Sequence, residues 1–79
     1  MEHSFHRFAD LFAQLGLPAD HAGIREFIAA HAPLAGGIRL ADAPFWSEVQ
    51  ARLLREMIAE DADWAEVADH LDAALRQGP

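Results

Sequence analysis

The sequence predicts an all-α fold, a bundle of four helices in a single domain spanning residues 1–79. Threonine, tyrosine and asparagine are absent, alanine and leucine are abundant, and no segment shows the alternation of apolar and polar residues that is typical of strands. Apolar residues instead recur at intervals of three and four, which is the period of a helix with one buried face. Because the chain has no cysteine, this helix packing has to stabilise the domain without disulfides or thiolate metal sites.

Two helices are predicted in the first half of the chain. Ser4 is a suitable N-cap for the first helix, and Gly16 should end it, because glycine readily adopts the left-handed conformation found after helix C-termini. Asp20 should cap the second helix, and Pro33 should end it. The apolar faces of these helices consist of Phe5, Phe8, Leu11, Phe12 and Leu15, and of Ile24, Phe27, Ile28 and His31.

The third and fourth helices follow in the second half. Ser47 and Gln50 have the spacing of a capping box, which predicts the start of the third helix. The acidic junction at residues 60–63 interrupts the apolar pattern, and either Asp61 or Asp63 should cap the fourth helix, since carboxylates are favourable at a helix N-terminus. Gly78 and Pro79 form a frayed tail. The apolar faces comprise Val49, Leu53, Leu54, Met57 and Ile58 in the third helix, and Trp64, Val67, Ala68, Leu71 and Leu75 in the fourth.

From the four helices together we predict a core of Phe8, Phe12, Leu15, Ile24, Phe27, Ile28, Leu53, Met57, Trp64, Val67 and Leu71.

Residues 32–46 form a long and apolar connection between the second and third helices. Most connections in compact domains have about 4–6 residues, so this one should have a role of its own. Pro44 cannot continue a helix and disfavours the helical conformation of Ala43, which places Phe45 and Trp46 at a chain reversal. We expect one of these two rings to point inward as a plug between the second and third helices, and other apolar side chains to form a partly exposed patch that binds a partner. The candidate partner-binding residues are Leu34, Ile38, Leu40, Phe45 and Trp46.

The charge distribution argues against anionic partners. The chain has a formal net charge of −7, and residues 56–79 carry seven carboxylates and one arginine. Such a chain lacks the basic surface with which proteins bind nucleic acid or anionic lipid. There is no signal-peptide pattern and no apolar run approaching the roughly 18 residues that cross a membrane, so we expect a cytoplasmic protein.

The sequence offers little material for catalysis or metal binding. Ser4 and Ser47 are the only hydroxyl side chains, and both are explained as helix caps. There is no glycine-rich phosphate loop and no nucleophile elbow. Five histidines are present, but no Glu-x-x-His motif of a di-iron bundle, and the acidic junction lacks the spacing of a calcium-binding loop. We therefore expect neither an enzyme nor a cofactor or metal.

The first two helices superficially match a helix-turn-helix, which leaves nucleic-acid or regulatory binding as the alternative function. The second helix would present His21, Arg25, Glu26 and Ala29 to DNA. One arginine beside a glutamate is poorly suited to neutralise several phosphates or to read base edges. A small, non-enzymatic interaction or structural module is the better interpretation, with another protein or a second copy in a homodimer as its partner.

Four segments resemble a known bacterial family over nearly the whole chain, from about Phe5 to Arg76. They are residues 11–18 (LFAQLGLP), residues 27–34 with Phe27-Ile28, His31 and Pro33-Leu34, residues 40–46 (LADAPFW), and residues 60–67 (EDADWAEV). The chain is identified on these strings as a member of the domain-of-unknown-function family 2789, which is typical of proteobacteria. The resemblance implies a small cytoplasmic helical protein and carries no activity, ligand or catalytic residue.

Overall fold

The computed structural model of the protein describes residues 2–77, and side chains from residue 8 onwards. Within that range the chain forms four α-helices and no strand, which confirms the predicted all-α fold. The helices are Glu2–Gln14 (α1), His21–His31 (α2), Glu48–Glu60 (α3) and Ala62–Gln77 (α4). A short 3₁₀ turn, Leu40–Asp42, lies in the connection between α2 and α3.

Helix α1 begins earlier than predicted and ends where predicted. It starts at Glu2, so Ser4 lies inside the helix and its prediction as the N-cap was wrong. Nothing in the first residues prevents helical dihedral angles, and a glutamate in the first turn is favourable with the helix dipole. At the other end, Gly16 adopts a φ of 73°, and the N–H of Leu17 donates to the carbonyl of Phe12 at 2.9 Å. This is a Schellman motif, which fixes the direction in which the chain leaves the helix.

Helix α2 has the caps that the sequence predicts. The carboxylate of Asp20 accepts a hydrogen bond from the N–H of Gly23 at 3.1 Å, and the helix ends at His31, two residues before Pro33. Gly23 is required by a close approach: a Cβ atom there would lie 2.7 Å from Cβ of Pro18 and 2.6 Å from Oδ1 of Asp20. The turn between α1 and α2 therefore packs directly against the first turn of α2.

The capping box of α3 is present and also reaches α1. Gln50 donates its backbone N–H to the hydroxyl of Ser47 at 3.0 Å, and its side-chain oxygen accepts the N–H of Ser47 at 2.9 Å. The amide nitrogen of the same Gln50 donates to the carbonyl of Leu15 at 3.0 Å, which joins the start of α3 to the end of α1. Of the two candidates at the α3–α4 junction, Asp61 is the cap of α4, because its carboxylate accepts the N–H of Asp63 at 2.8 Å.

Helix α4 is the centre of the packing, because α1, α2 and α3 all contact it. The buried apolar residues form one core that draws on all four helices and on the connection. Of the predicted core residues, Phe12, Leu15, Ile24, Val67 and Leu71 are buried. The remaining predicted residues are partly buried and pack against this core; they are Phe8, Phe27, Ile28, Leu53, Met57 and Trp64.

The core also contains residues that the prediction omitted. On α3 the buried residue is Leu54, with no accessible surface, while Leu53 and Met57 lie beside it at the edge of the core. Leu11 and Leu75 are also fully buried. The side chain of Phe5, which completes the predicted face of α1, and the tail at residues 78–79 lie outside the part of the structure that is described. None of the described helices combines the length and hydrophobicity needed to cross a bilayer.

Candidate interaction surface

The connection at residues 32–46 is built into the core of the domain. Leu34, Leu40 and Trp46 expose only 7%, 7% and 8% of their surface. The N–H of Leu34 donates to the carbonyl of Leu75 at 3.0 Å, so the start of the connection is bonded to the C-terminal turn of α4. Three of the five candidate partner-binding residues therefore have structural positions inside the domain.

Trp46 is the ring that points inward. Its indole lies against the ring of Phe27 on α2, with 5.4 Å between centroids and 26° between planes. The indole N–H donates a buried hydrogen bond of 2.7 Å to the carbonyl of Leu40, in the 3₁₀ turn. The tryptophan thus fills apolar space while its own indole N–H is paired, and the carbonyl of Leu40 accepts this hydrogen bond in addition to one from the N–H of Ala43.

Phe45 has a more exterior position at the edge of an aromatic cluster. It stacks on the imidazole of His31, with 4.3 Å between centroids and 27° between planes, and meets Phe27 edge-on at 5.5 Å. Phe45 and His31 are both partly exposed. They form an aromatic pair that is accessible from outside, while Phe27 connects it to the buried Phe12 through an edge-on contact of 5.2 Å.

Arg76 holds the first part of the connection against α4. Its guanidinium donates to the carbonyl of Ala35 at 2.8 Å and to the carbonyl of Ile38. The same group forms a pair of hydrogen bonds with the carboxylate of Asp72, one turn earlier, at 3.0 and 3.1 Å. The i,i+4 spacing of Asp72 and Arg76 is visible in the sequence, whereas the two carbonyl contacts depend on the fold and have no sequence signal.

Arg55 fixes the second part of the connection against α3. Its guanidinium lies 2.6 Å from a carboxylate oxygen of Asp42, and both side chains are about half exposed. The pair divides a shallow groove between the connection and α3, which we call the α3 groove. One end is a hollow of about 320 Å³ whose floor includes Leu40, Ile58 and Ala68. The other end is a hollow of about 420 Å³ that Trp46 and Ala51 line.

Three apolar side chains remain accessible at positions that adjoin, in the sequence, residues lining this groove. Ile38 and Phe45 are partly exposed, and Val49, in the first turn of α3, exposes 68% of its surface. The five candidate residues therefore divide into an inner set, Leu34, Leu40 and Trp46, and an outer set, Ile38 and Phe45. Val49, which the sequence placed on the buried apolar face of α3, is instead exposed in the first turn of the helix, so that assignment was wrong, and the candidate set omitted it.

The remaining candidate groups whose side chains are described do not come together in a site. Among the described side chains, no group of three His, Asp or Glu residues is placed to hold a metal ion. The hydroxyl of Ser47 is engaged in the α3 capping box. Ser4, His3 and His6 have side chains outside the described part. Arg25 and Glu26 are both exposed on α2, so the face that would read DNA presents the mixed charge expected from the sequence.

Comparison with known proteins agrees with the fold. Residues 1–75 match the family described as "Protein of unknown function (DUF2789)". The chain is also similar to a protein from Chromobacterium violaceum whose solution NMR structure was determined by a structural genomics consortium. The two are 44% identical, the TM-score is 0.76, and the match covers 91% of this chain and 90% of the other. No curated protein matches the chain.

Proposed function

The chain belongs to the DUF2789 family, and we propose that it is a non-enzymatic protein-interaction module. Its binding surface is the outer side of the connection together with the first turns of α3. The observation that supports this proposal is the placement of Ile38, Phe45 and Val49. These three apolar side chains stay accessible on a backbone that the core and two arginines hold in place.

The fixed backbone of the connection favours binding. A flexible loop loses conformational entropy when a partner orders it, whereas a surface that is already ordered does not. Leu34 and Trp46 anchor the two ends of the connection in the core, and Arg76 and Arg55 bond its backbone and side chains in between. The outer side chains are therefore presented in one arrangement.

The charges and polar groups of the surface support a protein rather than a nucleic acid as the partner. The chain has a net charge of −7, which opposes the approach of phosphates, and Arg25 on α2 is accompanied by Glu26. The proposal also includes a cytoplasmic location, which is the expectation from the sequence. It includes the absence of catalysis as well, and the engagement of Ser47 and Asp61 in helix caps supports this part.

Site-specific photo-crosslinking in cells that produce the protein tests the proposal. A photoreactive amino acid at Val49 should give a crosslinked species of defined mass, whose second component mass spectrometry identifies. The matched control places the same group at Ala13, an exposed position on α1 that lines neither hollow of the α3 groove. Crosslinks that are absent at Val49, or equally strong and of the same mass at Ala13, would contradict a binding surface at the connection.

A further inference from the structure

The α3 groove has a balance of charge that distinguishes it from the rest of the chain. The described residues that line its two hollows include three arginines, Arg39, Arg52 and Arg55. They also include three carboxylates, Asp42, Glu48 and Asp69. The groove is therefore electrically neutral, and the whole net charge of −7 lies elsewhere on the chain.

Most of these charges have no partner within the chain. Arg55 and Asp42 pair with each other at 2.6 Å, but the side chains of Arg39, Arg52, Glu48 and Asp69 make no hydrogen bond or ion pair within the described part of the structure. Two positive and two negative groups thus surround an apolar floor and are available to an incoming surface. An arginine that is already paired, such as Arg76 with Asp72, offers no such contact.

We propose that the α3 groove binds a second copy of this chain in a two-fold symmetric dimer. In such a contact the same patch lies on both sides, so every positive group must find a negative group on an identical surface. A face with equal numbers of free positive and negative groups satisfies this condition. Two copies that met through any strongly acidic face would instead bring like charges together, which opposes binding.

This proposal rests on the proposed function and names the partner for that surface. The dimer should be weak, because Val49 is the one large apolar side chain that the described part leaves mostly exposed. Weak complexes bury less than about 1,200 Å² in total, or about 600 Å² from each partner. That is a small share of the 5044 Å² that the chain exposes.

Sedimentation equilibrium at physiological salt provides the test. Between about 20 µM and about 1 mM, a range that detects weak association, the weight-average mass of the wild type should rise from the monomer value towards twice that value. Arg52→Glu makes the groove negative and should weaken association at least about tenfold. The matched control is Arg25→Glu, which changes net charge by the same amount at an exposed position on α2 and should leave association nearly unchanged.

Charge complementation separates a specific contact from a general charge effect. Glu48→Arg makes the groove positive, so this variant should also fail to self-associate. An equal mixture of the Arg52→Glu and Glu48→Arg proteins should form a mixed dimer, because one groove is then negative and the other positive. Both side chains are exposed, and thermal melts that remain close to the wild type show that the variants are folded.

Several outcomes would overturn the dimer. The first is a wild-type protein that stays monomeric at the highest concentration. The second is an Arg25→Glu control that weakens association as much as Arg52→Glu does. The third is a mixture of the Arg52→Glu and Glu48→Arg proteins that stays monomeric. The proposed function fails separately. If Val49 crosslinks to a different protein while the isolated chain is monomeric, the interaction module stands and the dimer is wrong.

Discussion

Replacing Trp46 by phenylalanine tests whether the connection is part of the core. The phenylalanine ring can still lie against Phe27, but it cannot donate the 2.7 Å hydrogen bond to the carbonyl of Leu40. The carbonyl of Leu40 also accepts the backbone N–H of Ala43 at 3.1 Å, so the substitution leaves this carbonyl with one hydrogen bond. The substitution therefore removes one buried hydrogen bond and part of one ring, and leaves the rest of the packing in place.

The expected loss of stability follows from these two changes. Because the carbonyl keeps its bond from Ala43, the loss is the net contribution of one hydrogen bond, about 0.5–1.5 kcal/mol. The smaller ring loses roughly 40 Å² of buried apolar surface, which adds about 1 kcal/mol at about 25 cal/mol per Å². Trp46→Phe should thus lower the free energy of unfolding by about 1.5–2.5 kcal/mol. At about 0.05–0.15 kcal/mol per residue, a domain of this size has only about 4–12 kcal/mol in total.

Trp64→Phe provides a matched control with the same change of side chain. Trp64 is only partly buried, and its indole makes no hydrogen bond within the described part of the structure, so the substitution should cost less than about 1 kcal/mol. Urea unfolding followed by far-UV circular dichroism gives both free energies. Equal losses for Trp46→Phe and Trp64→Phe would refute the structural role of the Trp46 hydrogen bond.

Three further predictions concern the core, the first turn of α2 and nucleic-acid binding. Phe12→Ala should lower the free energy of unfolding in urea by about 3–5 kcal/mol, because Phe12 is fully buried. A variant that unfolds at the same urea concentration as the wild type would contradict the place of Phe12 in the core. Gly23→Ala should lower the melting temperature because its Cβ would overlap Pro18, even though alanine is favoured over glycine in helices by about 1 kcal/mol. Gly36→Ala is the control, because the space around Gly36 is open. The protein should show negligible affinity for nucleic acid in a mobility-shift assay at low salt, because its net charge of −7 repels phosphates. Tight binding that is lost as the salt concentration rises would favour the helix-turn-helix alternative.

The helix boundaries could be predicted where the signal is local. Asp20, Gly16 and the Ser47–Gln50 pair act within one helical turn, so their residue types and spacing were sufficient. The prediction of Ser4 as the N-cap of α1 was wrong because an N-cap must have no helix before it, and the helix already begins at Glu2. Local chemistry therefore predicted the ends of the helices better than it predicted the beginning of the first one.

The inward and outward residues of the connection could not be separated from the sequence. Leu34, Ile38 and Leu40 are all large and aliphatic, and a segment without regular period gives no face on which to place them. Their burial depends on the path of the chain across α4, which the Leu34–Leu75 hydrogen bond and the contacts of Arg76 determine. Both interactions involve backbone carbonyls, which every residue carries, so the sequence contains no signal for them.

The division of the connection into an inner and an outer set means that stability and binding can be changed separately. Leu34→Glu would place a carboxylate where only 7% of the side chain is accessible, and unfolding would relieve the cost of burying that charge. Ile38→Glu places the same group at a partly exposed position, where solvent can hydrate it. A partner that binds the outer side of the connection should therefore lose affinity for a folded Ile38→Glu protein, whereas Leu34→Glu should abolish binding only by abolishing the fold. Measuring both binding and unfolding for each variant distinguishes a surface that recognises a partner from a segment that only completes the core.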